Sequence, residues 1–213
     1  MLCLSQALAF VPSCLTRRVS SIKLYSSSTS ITPLEQVIRL RGKVDEGYGR
    51  GGKKLGFPTA NLPSSLFQDA LEQIPTGVYL GWAWIEGTPD GRGVPQKAAV
   101  NVGYSPTFEG KENKEKIVEA HLILGEEVMT DFYQEVMRLS LIGFLRPECK
   151  FDSFPELMQA ITNDVATAKE ALDREPFVSF KTDAAFLSSD PWTGQDGGDA
   201  EASWEFQDWT KAK

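Results

Sequence analysis

The chain has 213 residues, 41% of them hydrophobic and 24% charged, which is typical of one globular domain with extensions. Its net charge of −7 argues against a nucleic-acid surface, because such surfaces are basic. A single histidine excludes a multi-histidine metal site.

Residues 1–34 differ from the rest of the chain. They hold no acidic residue, three basic residues and many serines, behind an apolar run, MLCLSQALAFVPS, that is too short to span a bilayer. These features are typical of organelle targeting presequences. A signal-like run followed by a transit-like stretch favours targeting to a plastid of the complex type, and a mitochondrion is the alternative destination. The other interpretation is that this segment is merely a disordered start of the chain. Beyond this leader one cysteine, Cys149, remains, so we expect no internal disulfide.

The segment VIRLRGKV (37–44) alternates apolar and charged residues, which predicts a half-buried strand. The glycine-rich stretch GYGRGGKKLGFPTAN (47–61) follows. It fits the dinucleotide pattern G-x-G-x-x-G and the first seven positions, G-x-x-x-x-G-K, of the triphosphate pattern. The triphosphate pattern next requires Ser or Thr, where Lys54 stands, and both patterns require a helix that the glycines and prolines here forbid. We therefore interpret it as a loop between strands that can hold phosphate through backbone N–H groups and Lys53. Thr59 and Asn61 add oxygen ligands suited to Mg²⁺.

Four more strands are predicted from alternation and from β-branched and aromatic residues, at 77–87, 97–104, 117–124 and 136–145. No long helical stretch separates them, which favours an antiparallel sheet or barrel over repeated strand–helix units. Within IVEAHL, Val118 and its alternate neighbours form one face, and Glu119 points to the other.

One helix is predicted over 152–172, with an apolar face and a capping-box pair formed by Ser153 and Glu156. We expect it to cover one side of the barrel. Residues 182–213 carry seven acids and no regular period, which predicts a largely disordered tail. Its three tryptophans (192, 204 and 209) leave docking on the domain or on a partner as the alternative.

Five segments carry a family resemblance: GKVDEGYGRGGKKLGFPTANL, IPTGVYLGWAWI, AAVNVGYSPTF, VEAHLIL and DFYQEVMRLSLIGFLRPECKFDSFPELMQAITNDVATAK. Together they closely resemble the riboflavin kinase (flavokinase) family of the eukaryotic monofunctional type, over roughly residues 38–172. The resemblance implies an all-β fold, a closed six-stranded antiparallel Greek-key barrel with a C-terminal α-helix packed on it, for residues 35–181. It also implies a monomer, with no nucleic-acid or membrane partner.

The implied reaction transfers the γ-phosphoryl group of ATP to the ribityl 5′-hydroxyl of riboflavin, giving FMN and ADP. Glu119 is the implied catalytic base, and Thr59 and Asn61 the ligands of Mg²⁺, with Zn²⁺ or Mn²⁺ as alternatives. The implied nucleotide contacts are Gly47, Gly49, Lys53, Leu122, Leu124 and Tyr133.

Arg146 and Cys149 lie in the segment that resembles the family's flavin-side flap. Many members have lysine where Cys149 stands, and in this chain a lysine, Lys150, follows it directly. Two other functions stay open. One is a non-catalytic flavin-binding barrel, and the other is a kinase for a different small alcohol.

Overall fold

The computed structural model describes residues 31–45, 59–87, 92–104, 116–124, 131–187, 195–196 and 202–208. Eight strands are β1 (Thr32–Lys43), β2 (Thr59–Leu62), β3 (Gly77–Ile85), β4 (Gln96–Tyr104), β5 (Lys116–Ile123), β6 (Val136–Arg146), β7 (Gln195–Asp196) and β8 (Ser203–Asp208). Three α-helices are α1 (Gln68–Gln73), α2 (Phe154–Ala171) and α3 (Ala184–Leu187), and two 3₁₀ helices cover Ser64–Leu66 and Val178–Thr182. The five predicted strands and the predicted helix are therefore present.

The strands form one antiparallel sheet in the order β2-β5-β4-β3-β6-β1-β8-β7. The expectation of antiparallel β structure with a C-terminal helix is confirmed. A closed six-stranded barrel is not confirmed, because within the described residues β1 and β2 meet only at an isolated bridge between Asp45 and Asn61. There the Asp45 N–H donates to the Asn61 carbonyl oxygen at 2.9 Å.

Side chains alternate between the two faces of each strand, so the sheet carries two apolar clusters. The inner cluster joins all six of the first strands and includes Leu40, Ala60, Ile85, Val100, Val118 and Leu139. The outer cluster includes Leu80, Trp82 and Ile142 of the sheet together with Ala168 and Leu172 at the end of α2. The outer face is the one on which helix α2 lies.

Helix α2 begins where its sequence predicts. Ser153 is its N-cap and accepts a hydrogen bond from the Glu156 N–H at 3.4 Å, and Pro155 stands in the first turn. The Glu156 carboxylate reaches back to the N–H of Asp152 at 3.3 Å. The helix packs on β4 and β3, which confirms that it covers one side of the sheet.

The expectation of a disordered tail does not hold for Ser203–Asp208, which form β8 and pair with β1. Trp204 is 7% exposed and belongs to the inner cluster, where its ring meets Phe206 edge to face. Arg39 of β1 is fully buried, and its guanidinium binds Glu205, Gln207 and Asp183. Trp204 and Glu205 of the tail thus pack on the domain, in agreement with the alternative of docking there, while Trp192 and Trp209 lie outside the described residues.

Within the ranges given above, the helices are all too short or too polar to cross a membrane.

Candidate active site

One line of outward side chains crosses five neighbouring strands. Asn61 of β2 stands opposite Glu119 of β5, which stands opposite Asn101 of β4. Asn101 is opposite Val78 of β3, and Val78 is opposite Arg146 of β6. Directly opposed residues of antiparallel strands project to the same face. We call this line the cross-strand row; it lies on the face that carries helix α2.

The orientation of Glu119 follows from the two-residue alternation of β5. Val118, Ala120 and Leu122 are buried in the inner cluster, with exposures of 0%, 0% and 5%. Glu119 is half-buried on the opposite face. The predicted division of this strand into an apolar face and a Glu119 face is therefore confirmed.

The sequence predicts Thr59 and Asn61 in a loop between strands, but they lie in strand β2. Pro58 precedes this strand and Pro63 follows it, so pairing with the edge of β5 defines a strand of only four residues. The Thr59 hydroxyl donates a hydrogen bond to Oε1 of Glu119 at 2.6 Å. This bond holds one carboxylate oxygen in place, and Oε2 can accept a proton from another group.

The same two residues fit a hard divalent cation. The Thr59 hydroxyl proton is directed at Glu119, so the hydroxyl lone pairs can serve as ligands, and Asn61 supplies a carboxamide oxygen. In the described part of the chain no group of three or more His, Cys, Asp or Glu side chains could hold a metal. The neutral oxygens of Thr59 and Asn61, together with water or phosphate, form a ligand set that suits Mg²⁺.

The structure brings Arg146 and Cys149 together at the far end of the cross-strand row. Arg146 Nη1 lies 3.2 Å from the Cys149 sulfur, and the guanidinium lies 5.7 Å from the Phe151 ring centroid. Asp164 of helix α2 binds the guanidinium through distances of 2.9 and 3.1 Å from Nε and 2.7 Å from Nη2. This bidentate pair fixes the plane of the guanidinium.

Asp164 was not recognised from the sequence, although a signal existed. It lies three residues after Ile161 and four before Ala168, on the predicted apolar face of the helix. An acid at such a position needs a partner when the face is buried. The partner could not be named, because its contact with Arg146 crosses from a helix to a strand.

Glu148 is a second side chain that sequence reasoning missed. Its carboxylate lies against Gly103 of β4, where a Cβ atom would stand 2.3 Å from Glu148 Oε1. Gly103 therefore permits this close approach. Burial raises the pKa of Glu148, although the charges of Arg146 and Lys116 oppose that shift.

Three predicted nucleotide contacts, Gly47, Gly49 and Lys53, lie outside the described residues. Leu122 faces the inner cluster, and Leu124 and Tyr133 pack against it. The structure thus brings Leu122, Leu124 and Tyr133 together on the core side of the sheet. The Leu122 side chain therefore lies on the opposite face of β5 from Glu119. A nucleotide contact for these residues stays a prediction.

Comparison with known proteins shows that this chain is similar in sequence to riboflavin kinases. The sequence model of the Flavokinase family, described as riboflavin kinase, matches residues 34–172. Riboflavin kinases from Mus musculus and Homo sapiens are 38% and 37% identical over 149 residues, which is 70% of this chain and 90% of each relative. A bifunctional riboflavin kinase/FMN phosphatase of Arabidopsis thaliana is 41% identical over 142 residues, or 67% of this chain and 35% of that protein.

The crystal structure of riboflavin kinase from Trypanosoma brucei is similar in fold, with a TM-score of 0.57 and 23% identity over 81% of this chain and 94% of that chain. The match to the family model and the identity to the curated relatives extend over most of the described domain. The chain belongs to the riboflavin kinase family.

Proposed function

We propose that this chain is a riboflavin kinase, which transfers the γ-phosphoryl group of ATP to the ribityl 5′-hydroxyl of riboflavin and releases FMN and ADP. One observation supports this most directly. Glu119 accepts a hydrogen bond from Thr59 and stands opposite Asn61. A carboxylate base is thereby held beside two metal-ligand side chains, which is the combination that phosphoryl transfer needs.

In this proposal Glu119 accepts the proton of the ribityl 5′-hydroxyl as its oxygen attacks the γ-phosphorus. Oε2 takes the proton, because Oε1 already accepts from Thr59. A positioned base of this kind contributes about a hundredfold to ten-thousandfold to the rate.

Thr59 and Asn61 are the proposed ligands of the divalent cation, which we expect to be Mg²⁺, with Mn²⁺ or Zn²⁺ as alternatives. Such a cation supplies neutralisation of the phosphate charge when it is bound with ATP. Gly47, Gly49 and Lys53 are proposed to contact the phosphates through backbone N–H groups and one ammonium group. Leu122, Leu124 and Tyr133 are proposed to lie near the adenine.

Arg146 and Cys149 are proposed to line the flavin side of the site. The guanidinium is planar and already lies near Phe151, so it suits stacking on a flat ring. Its bond to Asp164 limits the orientations that it can take. The flavin ring would then lie at the opposite end of the cross-strand row from Asn61.

For the fold, we propose that the first six strands close into a Greek-key barrel. In their order, β2-β5-β4-β3-β6-β1, the strands β2 and β1 are at the two ends, and the Asp45–Asn61 bridge between these ends supports closure.

We also propose that the protein is a monomer. Residues 1–34 are proposed to be a plastid presequence, with a mitochondrion as the alternative destination. A fluorescent reporter fused to residues 1–34 would test the presequence, and a cytosolic signal would contradict it.

A non-catalytic flavin-binding barrel is less consistent with the site. Binding of a flavin does not require a base that is oriented by a hydroxyl beside a pair of metal ligands. Turnover separates the two functions, because a pure binding protein would quench riboflavin fluorescence without making FMN.

The experiment uses the full chain with ATP, MgCl₂ and riboflavin, and follows FMN and ADP by chromatography. We expect equal amounts of FMN and ADP, and loss of both when the cation is removed by a chelator. ADP formation without FMN would indicate another acceptor. Saturable riboflavin binding without either product would indicate the flavin-binding barrel.

A further inference from the structure

We infer that Asn101 binds the secondary hydroxyls of the acceptor's side chain, and so makes the enzyme specific for a polyol. The inference rests on the proposed function and deepens it. Its evidence is the place of Asn101 in the cross-strand row, the surfaces around it, and the hydrogen-bonding chemistry of a carboxamide.

The neighbours of Glu119 determine the direction in which an acceptor can extend. Glu119 has Asn61 on one side and Asn101 on the other. The proposed phosphate and cation groups, Thr59 and Asn61, occupy the β2 side. An acceptor that presents its terminal hydroxyl to Glu119 must therefore extend toward β4, and Asn101 stands about 4.8 Å away there, one strand spacing from Glu119.

On the same face, the residues beside Asn101 in β4 and β3 are small or apolar. Along β4, Ala99 lies in the outer cluster that α2 helps to form, and Gly103 lies beneath the Glu148 carboxylate. Across the sheet, the next side chain of the row is the apolar Val78. Asn101 thus provides the polar group of this part of the row, between the base and the proposed flavin end.

The Asn101 carboxamide is available for hydrogen bonds to a ligand. Asn101 is half-buried, and among the described residues no hydrogen bond joins its side chain to another group. A carboxamide carries two donors and a carbonyl acceptor. A ligand that offers hydroxyl groups, each both donor and acceptor, matches it in a way that an alkyl chain cannot.

The carboxamide is also neutral, so it neither repels the Glu119 carboxylate nor attracts the phosphates away from the cation. A site that hydrogen-bonds a substrate hydroxyl discriminates strongly against an analogue that lacks it, because its own polar group is then left unpaired. Asn101 is therefore assigned as a substrate-binding residue that determines specificity.

The test compares two acceptors, riboflavin and a flavin with a 5-hydroxypentyl chain at N10, which keeps the terminal hydroxyl and lacks the secondary ones. We would measure kcat/KM for both with the full-length parent and with Asn101→Ala. In the parent, riboflavin should be preferred. In Asn101→Ala, kcat/KM should fall roughly tenfold for riboflavin, as two neutral hydrogen bonds predict, and stay nearly unchanged for the analogue.

Three further measurements keep the result interpretable. The KM for ATP should not change in Asn101→Ala, and Asn163→Ala, at an exposed position on α2, serves as the matched control. Asn101→Ser should recover part of the preference, since it restores one hydroxyl. It also replaces Asn101→Ala if that variant does not fold.

An equal loss for both acceptors would overturn the inference, because it would show that Asn101 acts through packing. An unchanged preference would overturn it as well. In either case the parent would still make FMN, and the proposed function would stand. A parent that makes no FMN would overturn both.

Discussion

The hydrogen bond from Thr59 to Glu119 gives one hydroxyl two tasks in the proposed site. It orients the base, and it offers its lone pairs to a cation. The side chain of valine has nearly the same shape as that of threonine but lacks the hydroxyl, so it separates chemistry from packing.

Thr59→Val should therefore lower kcat about a hundredfold or more, because both the orientation of Glu119 and a cation ligand are lost. The melting temperature should change little, since a β-branched residue is kept in β2. Thr167→Val, on helix α2, is the matched control and should retain activity. Activity within a few-fold of the parent in Thr59→Val would contradict the role of this hydroxyl.

The direction of Glu119 could be predicted from β5 alone, because a two-residue alternation is a local signal. That Thr59 and Asn61 lie in a strand could not be predicted in this way. Four residues between prolines carry no period, and their pairing partner, β5, lies about 60 positions away in the sequence. The contact between Thr59 and Glu119 is therefore not predictable from the sequence and is seen only in the folded structure.

Helix α2 connects the outer face of the sheet to the flap through Asp164. The carboxylate binds two nitrogens of Arg146 while the helix packs on β4 and β3. The position of the proposed flavin contact thus depends on an element that is far from the base.

Asp164→Asn should raise the KM for riboflavin several-fold and leave the KM for ATP unchanged, because the guanidinium loses a charged, bidentate partner. Steady-state kinetics with each substrate varied in turn would measure this. Glu170→Gln, at an exposed acid on the same helix, should change neither constant. Equal changes in both KM values would instead indicate general disturbance of the fold.

Glu86 joins three strands, because it follows β3 and accepts hydrogen bonds from Arg41 of β1 at 2.8 Å and Arg138 of β6 at 2.5 Å. Burial alone would raise its pKa, but the hydrogen bonds and charges of these two arginines outweigh it, so the pKa of Glu86 lies below its ordinary value. The unfolded state then binds more protons in acid. This contribution to stability is complete above the ordinary pKa and is lost as pH falls through the lowered one.

We expect Glu86→Gln to lower the free energy of unfolding by roughly 2 kcal/mol at neutral pH, because Arg138 is buried and loses a charged partner. The variant should also lose less stability than the parent between neutral and acid pH. Urea unfolding at several pH values would measure both effects, with the exposed Glu72→Gln as the control. Parallel pH profiles for Glu86→Gln and the parent would contradict this explanation.

The C-terminal residues Ser203–Asp208 are part of the folded domain. Trp204 contributes to the inner cluster, and β8 extends the sheet beyond β1. Trp204→Ala should therefore reduce the free energy of unfolding by about 3 kcal/mol or more, as measured by urea denaturation. Phe154→Ala removes an aromatic ring that is 56% exposed and should have a much smaller effect; equal effects of the two substitutions would contradict the stabilising role of Trp204.

Much of the fold could be predicted because five strands and helix α2 have long, regular patterns. The expectation of a disordered tail fails at Ser203–Asp208 because an acidic composition resembles that of a disordered segment. Its acids Asp183 and Glu205 in fact meet Arg39, whose alternation in β1 indicated an exposed position. Such pairing across about 140 residues or more leaves no local mark in the sequence.

Glu119 is proposed as the base of an ATP-dependent phosphoryl transfer to riboflavin. The most direct measurement is FMN formation by the full chain and by Glu119→Gln, with Glu72→Gln as the control. We predict that the parent and the control form FMN, and that Glu119→Gln loses at least a hundredfold in kcat while it still binds riboflavin. FMN formation by Glu119→Gln at the parent's rate would contradict the assignment of the base.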